Sequence, residues 1–263
     1  MNSPNNSINI SLGNEAHRLA KKFATEAKQL VPELEKEATG QRVYLNTLAV
    51  YAVNHYLTRL AYKTELEGSE SWNLWGRSPL DVAALKVTGI GQLECCPVWE
   101  AEAVFAIPSA ATEGRIAYLP VQFGEQLDRA ELLGFARGIE ILADTDLFFI
   151  CDLHSLEELI DYLYRIESAT AFFQEGNDPL AIEFRQKMGW ELLLKLVLEL
   201  EVIYRNESKN EQTYRVKNLL KGKLVGGDRL TATEPEDDSK WLDLAATLLE
   251  KLREIWEATP DED

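Results

Sequence analysis

The sequence predicts an α+β protein, with N-terminal helices packed on a small, mostly antiparallel sheet or partial barrel and a helical C-terminal region after it. Three observations predict this. Apolar residues recur at helical spacing as far as about residue 62. Near Leu80 the apolar period drops to two, with turn signals every ~8–12 residues. Near Ser155 the helical period returns.

Residues 1–11 are polar and rich in Asn and Ser, and are expected to be loosely ordered. Asn14 can cap a helix over 14–38, with Ala16, Leu19, Ala20, Phe23, Ala27, Leu30 and Leu34 on one face. Pro32 kinks it, ends it or starts a second turn, and Thr39-Gly40 reads as a break. A second helix over 41–62 carries a stripe of Leu45, Leu48, Ala49, Ala52, Tyr56, Leu57 and Leu60, with Asn46, Asn54 and Arg59 pointing elsewhere. Residues 64–79 form a turn region holding Trp72 and Trp75. Strands are expected over 81–87 and 92–98, joined by a tight turn at Gly89-Ile90-Gly91, and over 103–107, 116–123, 132–136, 139–142 and 148–151.

Ser155-Leu156-Glu157-Glu158 is a capping-box start, and Asp178-Pro179 opens a long helix reaching about residue 204. Residues 223–239 contain Gly-Gly, Pro and an acidic cluster, the composition of a flexible linker. A last amphipathic helix over 240–258 places Trp241, Ala245, Leu248, Leu249, Leu252, Ile255 and Trp256 on one face, before an acidic tail at 259–263. The domain plan is thus 12–152 for the helix-plus-sheet domain and 153–222 for the helical region, followed by linker, terminal helix and tail.

A chain of 263 residues with a net charge of −17 repels phosphate backbones and disfavours direct nucleic-acid binding. The same charge favours a basic protein partner. No apolar stretch approaches the ~18 residues of a membrane span, and no charged segment precedes an apolar run at the N-terminus. Three cysteines, two of them adjacent, do not suggest a disulfide framework, so a cytoplasmic location with reduced thiols is expected.

Little in the chain points to chemistry. The three histidines are His17, His55 and His154; His17 and His55 lie on helices with no second ligand at helical spacing, and no metal or cofactor is expected. His55 reads as a packing residue and His154 as a decoration of a helix N-terminus. Gly89-Ile90-Gly91 lacks the third Gly and the following helix of a phosphate loop. Arg77-Ser78 and Glu113-Gly114-Arg115 read as turns. Cys95, beside Cys96, is the one nucleophile to weigh, with His154 or His55 as its base. A strand there makes at least one of the two cysteines a small core residue. Trp72, Trp75 and Trp99 either seal a junction between helix and sheet or present an aromatic patch to a partner. Trp241, Leu248, Leu252 and Trp256 dock on the chain's own body or on another protein.

Six segments, LAVYAVNHYL (48–57), TELEGSESWN (64–73), DVAALKVTGIGQLECCPV (81–98), RIAYLPVQF (115–123), RAELLGFA (129–136) and LHSLEELIDYL (153–163), resemble a cyanobacterial family catalogued as domain of unknown function 1822. The resemblance is close over residues 10–165 and looser in the C-terminal third. At Cys96 the chain departs from the family's more usual basic or polar residue. The resemblance implies no catalytic residue. It implies an association with sigma factors and caspase-like proteases, which is not a mechanism.

These observations give an expected function. It is a non-enzymatic cytosolic regulatory or scaffold protein that acts by protein–protein binding, in its sharpest form restraining a basic partner such as a sigma factor and released when the 223–239 linker is cut. The partner-binding residues expected on this reading are Trp72, Trp75, Trp241, Leu248, Leu252 and Trp256. The alternative is a thiol-dependent hydrolase using Cys95.

Overall fold

The computed structural model describes residues 7–66, 82–111, 114–141, 146–225 and 238–258. The chain forms two compact units, Met1–Asp161 and Tyr162–Asp263. Among the described residues, no helix is long and apolar enough to cross a membrane.

In the first unit, β1 (Ile8–Ser11) leads into α1 (Asn14–Lys28), and a 3-10 turn at Glu33–Glu35 leads into α2 (Lys36–Arg59). Gly13 occupies the N-cap of α1 in extended backbone, and Asn14 is the first helical residue. The break expected at Thr39-Gly40 lies instead at Pro32, whose missing N–H and fixed φ stop a helix. Gly40 continues α2 because the two helices pack there, and a Cβ at this position would meet the Lys28 side chain.

The strands are β2 (Thr64–Glu65), β3 (Ala84–Val87), β4 (Gly91–Trp99), β5 (Val104–Ala106), β6 (Arg115–Phe123), β7 (Arg129–Leu132), β8 (Ala136–Arg137) and β9 (Leu147–Phe149). Seven of them make one curled, half-barrel sheet in the order β1-β7-β6-β4-β3-β2, with β8 also paired to β6. The β3–β4 hairpin turns at Thr88–Ile90, as its glycines predict. Every pair in this sheet is antiparallel except the central one, β4–β6. Parallel neighbours need a crossover, and residues 100–114 supply it. The crossover carries β5, which pairs with β9 in a separate two-stranded ribbon. Residues 139–142, expected as a strand, begin as a 3-10 turn at Gly138–Glu140.

α2 packs across β1–β4, β6 and β7 on one side and against α1 on the other. Burial therefore extends well beyond a single stripe. Asn46, expected to point away, is buried along with Thr47, Leu48, Ala49, Val50 and Val53. Leu60 falls beyond the helix and is exposed. The ribbon covers another part of the sheet, where Phe105 and Ile107 pack with Cys96, Val98, Tyr118 and Ala136. Cover from both directions buries β4 and β6 on both faces and explains their nearly unbroken apolar sequences.

The second unit is helical. It takes most of α3 (Leu156–Glu175) and all of α4 (Pro179–Lys187), α5 (Trp190–Asn206), α6 (Lys209–Val225) and α7 (Asp238–Glu257). Ser155 caps α3, accepting the Glu158 N–H at 3.2 Å, and Asp178 caps α4, accepting the Leu180 N–H at 2.9 Å. The single helix expected from Asp178 to residue 204 is two. Met188 turns to extended backbone and Gly189 caps α5. The expected linker over 223–239 is helical at both of its ends, in α6 and α7. The Gly-Gly and acidic residues between those helices lie outside the described residues.

Candidate functional site

His154 lies just before the cap of α3, and its position depends on two glycines. At Gly134, φ is +144°, and a Cβ there would lie 2.4 Å from the His154 carbonyl oxygen. Only glycine lets Phe135 bridge to His154, through N–H···O bonds of 3.0 and 2.9 Å. At Gly138 a Cβ would lie 1.9 Å from the Arg115 carbonyl oxygen, so the turn carrying Glu140 can approach β6 closely. Glu140 Oε1 then sits 2.9 Å from His154 Nε2, and Glu158 Oε2 lies 3.6 Å from His154 Nδ1. The Arg137 backbone N–H donates to Glu140 Oε2 at 2.9 Å, and the Phe135 ring lies 5.2 Å from the imidazole. This is a clasp between the Gly138–Glu140 turn and the start of α3, holding an imidazole between two carboxylates.

Burial opposes ionisation of Glu140 and is the largest single influence on it. The His154 hydrogen bond, the Arg137 N–H and the electrostatic attraction of the His154 and Arg137 side chains together outweigh it and hold the carboxyl below its usual range. A depressed pKa adds stability that is fully present above the ordinary carboxylate value and is lost as pH falls through the depressed one. Glu140→Gln should therefore cost ~1–2 kcal/mol at neutral pH. The deficit should close as acid protonates the wild-type carboxyl. Urea unfolding across a pH series measures this, and a deficit independent of pH would refute it.

Both thiols of the Cys95-Cys96 pair are buried in β4, Cys95 fully and Cys96 nearly so. Burial, with the neighbouring Glu94 carboxylate, pushes both thiols well up, against the opposing charge of Arg115. A thiolate is thereby disfavoured, and no hydrogen bond links Cys95 to His55 or His154 among the described residues. Cys151 is the exposed thiol, raised by its hydrogen bond to Asp152. A thiol reagent at neutral pH should label Cys151 slowly in the native protein and reach Cys95 and Cys96 only in denaturant. Rapid native labelling of Cys95 would revive the hydrolase reading.

Beside the thiols along β4, Glu94 belongs to a buried ion pair that the sequence reading missed. Arg115, read as a turn residue, opens β6 and donates from Nε to Glu94 Oε2 at 2.9 Å. Glu94 also accepts the Ala83 N–H. Both side chains are buried in the sheet, where a pair of this kind is structural. Glu201 and Arg165 form a comparable pair in the second unit, at 3.0 Å. Among the described residues, no group of three or more His, Cys, Asp and Glu side chains is placed to hold a metal.

The expected partner-binding residues divide into two sets. Trp72 and Trp75 lie outside the described residues. Trp241, Leu248, Leu252 and Trp256 are buried in the second unit by its own helices. Trp256 donates from Nε1 to the Arg165 carbonyl at 2.8 Å and packs on Tyr204 at 4.8 Å. Asp238 at the start of α7 is bound by Lys217 and Lys221 of α6. The apolar face of α7 is therefore occupied, and its residues offer no free surface.

The described residues do expose apolar groups at another place. In the β5–β9 ribbon, Val104 faces Phe149 and Ala106 faces Leu147. Phe105 and Phe148 point inward, with their rings 5.6 Å apart. The opposite face carries Val104, Ala106, Leu147 and Phe149, and the last two are 56% and 57% exposed. The apolar run 148–151 reads as a strand, and the strand that forms is Leu147–Phe149, with a 3-10 turn from Ile150. Nothing in it indicated β5 as the partner or left the outer face open.

The profile described as "Protein of unknown function (DUF1822)" matches residues 10–247, most of the chain and well beyond the segments on which the resemblance was strongest. The chain belongs to the DUF1822 family. Comparison with curated proteins finds no match, and comparison with solved structures finds none. Membership in DUF1822 brings no activity with it, so function must be argued from the residues themselves.

Proposed function

We propose that this DUF1822 chain is a cytosolic regulatory or scaffold protein that acts by binding a basic protein partner and not by catalysis. The observation that carries this reading is the distribution of charge. Residues 99–114 and 138–164 contain no Lys or Arg, yet they carry Glu100, Glu102 and Glu113 in the first segment and Glu140, Asp144, Asp146, Asp152, Glu157, Glu158 and Asp161 in the second. Together the two segments hold ten acidic residues and no Lys or Arg, so they account for ten of the 17 net negative charges, and both lie in the first unit or its boundary helix. Such a surface steers a basic protein toward it and repels nucleic acid. DNA-binding regulators, sigma factors among them, are one class of basic partner, because an acidic surface can take the place of the phosphate backbone against their basic faces. The protonated, buried thiols at Cys95 and Cys96 also favour this reading over thiol chemistry.

The test is affinity capture by the intact chain from the cytosol of its source cells, eluted by a rising salt gradient. A stoichiometric partner of basic isoelectric point, released as salt increases, is the expected result. Recovery of no stoichiometric partner, or of acidic partners insensitive to salt, would refute the proposal.

A further inference from the structure

We infer that the outer face of the β5–β9 ribbon is the docking surface for that partner, and that it takes a basic segment whose apolar side chains sit among Lys and Arg residues. The inference rests on the reading of the chain as a binder of a basic protein, and it adds the place of contact.

Two kinds of observation meet at this ribbon. The first is its apolar face. Leu147 and Phe149 are more than half exposed, beside half-buried Val104 and exposed Ala106. Strand alternation explains why Phe105 and Phe148 are inward. It gives no reason for Leu and Phe at the two outward positions, where polar residues are usual in a ribbon with one face in water. The second is charge. Glu100 and Glu102 precede β5, Asp146 precedes β9 and Asp152 follows it, all four exposed. No Lys or Arg stands in either segment. An apolar centre with a rim of one sign is complementary to an apolar centre with a rim of the other. A second copy of this chain would bring a like-charged rim against this one, so the charge argues for a basic partner over self-association.

The ribbon is rigid enough to serve. Its two strands are hydrogen-bonded, with Ile107 N–H to Asp146 O at 2.9 Å and Ile150 N–H to Ala103 O at 3.0 Å extending the ladder. Its inner face is anchored in the core by Phe105, Ile107 and Phe148. The outward side chains can therefore be changed without disturbing the fold.

The experiment uses the intact chain and the double variant Leu147→Ser/Phe149→Ser. The probes are two labelled peptides, one alternating Leu or Val with Lys or Arg, the other oligolysine of equal charge. Binding is read by fluorescence anisotropy at low and high salt, backbone amide shifts map the contact, and sedimentation measures self-association. The alternating peptide should bind the wild-type chain at least about tenfold more tightly than oligolysine. The double variant should lose that advantage while its weak, salt-sensitive affinity for oligolysine stays unchanged. Shifts should centre on residues 104–106 and 147–149. Circular dichroism and thermal melting of the variant should match the wild type. If both peptides bind wild type and variant alike, or the shifts map elsewhere, the ribbon is not the surface, although a basic partner remains supported. If neither peptide binds the wild type, the basic-partner reading itself falls. A wild-type dimer that the double variant abolishes would overturn the inference in favour of a second copy.

Discussion

Removal of α7 by truncation after Lys223 should unfold the C-terminal unit. Trp241, Leu248, Leu249, Leu252 and Trp256 are all buried, and Ala245 is fully so. Burying a large apolar side chain contributes ~1.5–3 kcal/mol, so five of them contribute about 7–15 kcal/mol. That matches the whole stability of a typical domain, about 5–15 kcal/mol. Polar contacts would go as well, namely the Trp256 bond to Arg165 O and the Asp238 pairs with Lys217 and Lys221. The measurements are helix content by circular dichroism and hydrogen exchange of α3 to α6. The expected loss of helix is much greater than α7 alone supplies, with α5 and α6 amides losing protection. Trp256→Phe, which keeps one aromatic ring but removes the N–H and the rest of the indole, should cost only ~1–3 kcal/mol. A truncated chain whose remaining helices stay protected would refute the assignment of α7 to the core. On this expectation, cutting between α6 and α7 and losing the helix would dismantle a folding unit and would not uncover a ready-made tethered ligand.

The second large effect is expected in the first unit. Glu94→Gln or Arg115→Met alone should each cost about 3–5 kcal/mol, because either leaves a buried charge without its counter-charge. The double variant should recover at least half of the summed loss, since neither charge remains. Gln is the better replacement for Glu94 because its Oε1 can still accept the Ala83 N–H, whereas Leu would leave a buried donor unpaired. Urea unfolding of the wild type, the two single variants and the double variant gives the coupling energy directly. Additive losses would show that the pair acts through its separate contacts and not as a pair.

The periodicity of the sequence was enough for the succession of helical, strand and helical regions, because apolar spacing records which positions are buried. Local caps were also legible. Ser155 and Asp178 act within three residues of themselves, so α3 and α4 begin where the sequence places them. The β3–β4 hairpin was legible for the same reason. By contrast, Gly40 reads as a break by propensity and lies inside α2, because packing against α1 outweighs a cost of about 1 kcal/mol. The parallel pairing of β4 and β6 has no local signature either. It depends on where the 100–114 crossover returns, and that crossover also brings β5 to β9.

The functional residues follow the same division. The stripe on α7 was visible as an apolar face, and a period cannot say whether its own unit or another protein covers that face. The tertiary structure covers it and leaves Leu147 and Phe149 uncovered. Glu94 within the apolar run of β4 and Arg115 at the start of β6 are 21 positions apart and meet only through the sheet. Glu140 reaches His154 only because Gly134 and Gly138 allow two backbones to approach. The sequence by itself determined the regions of helix and strand, the caps of α3 and α4 and the charge, which depend on neighbours along the chain. The partners of each buried face, of each buried charge and of the exposed ribbon were decided by the tertiary structure, because they are contacts between residues that only the fold brings together.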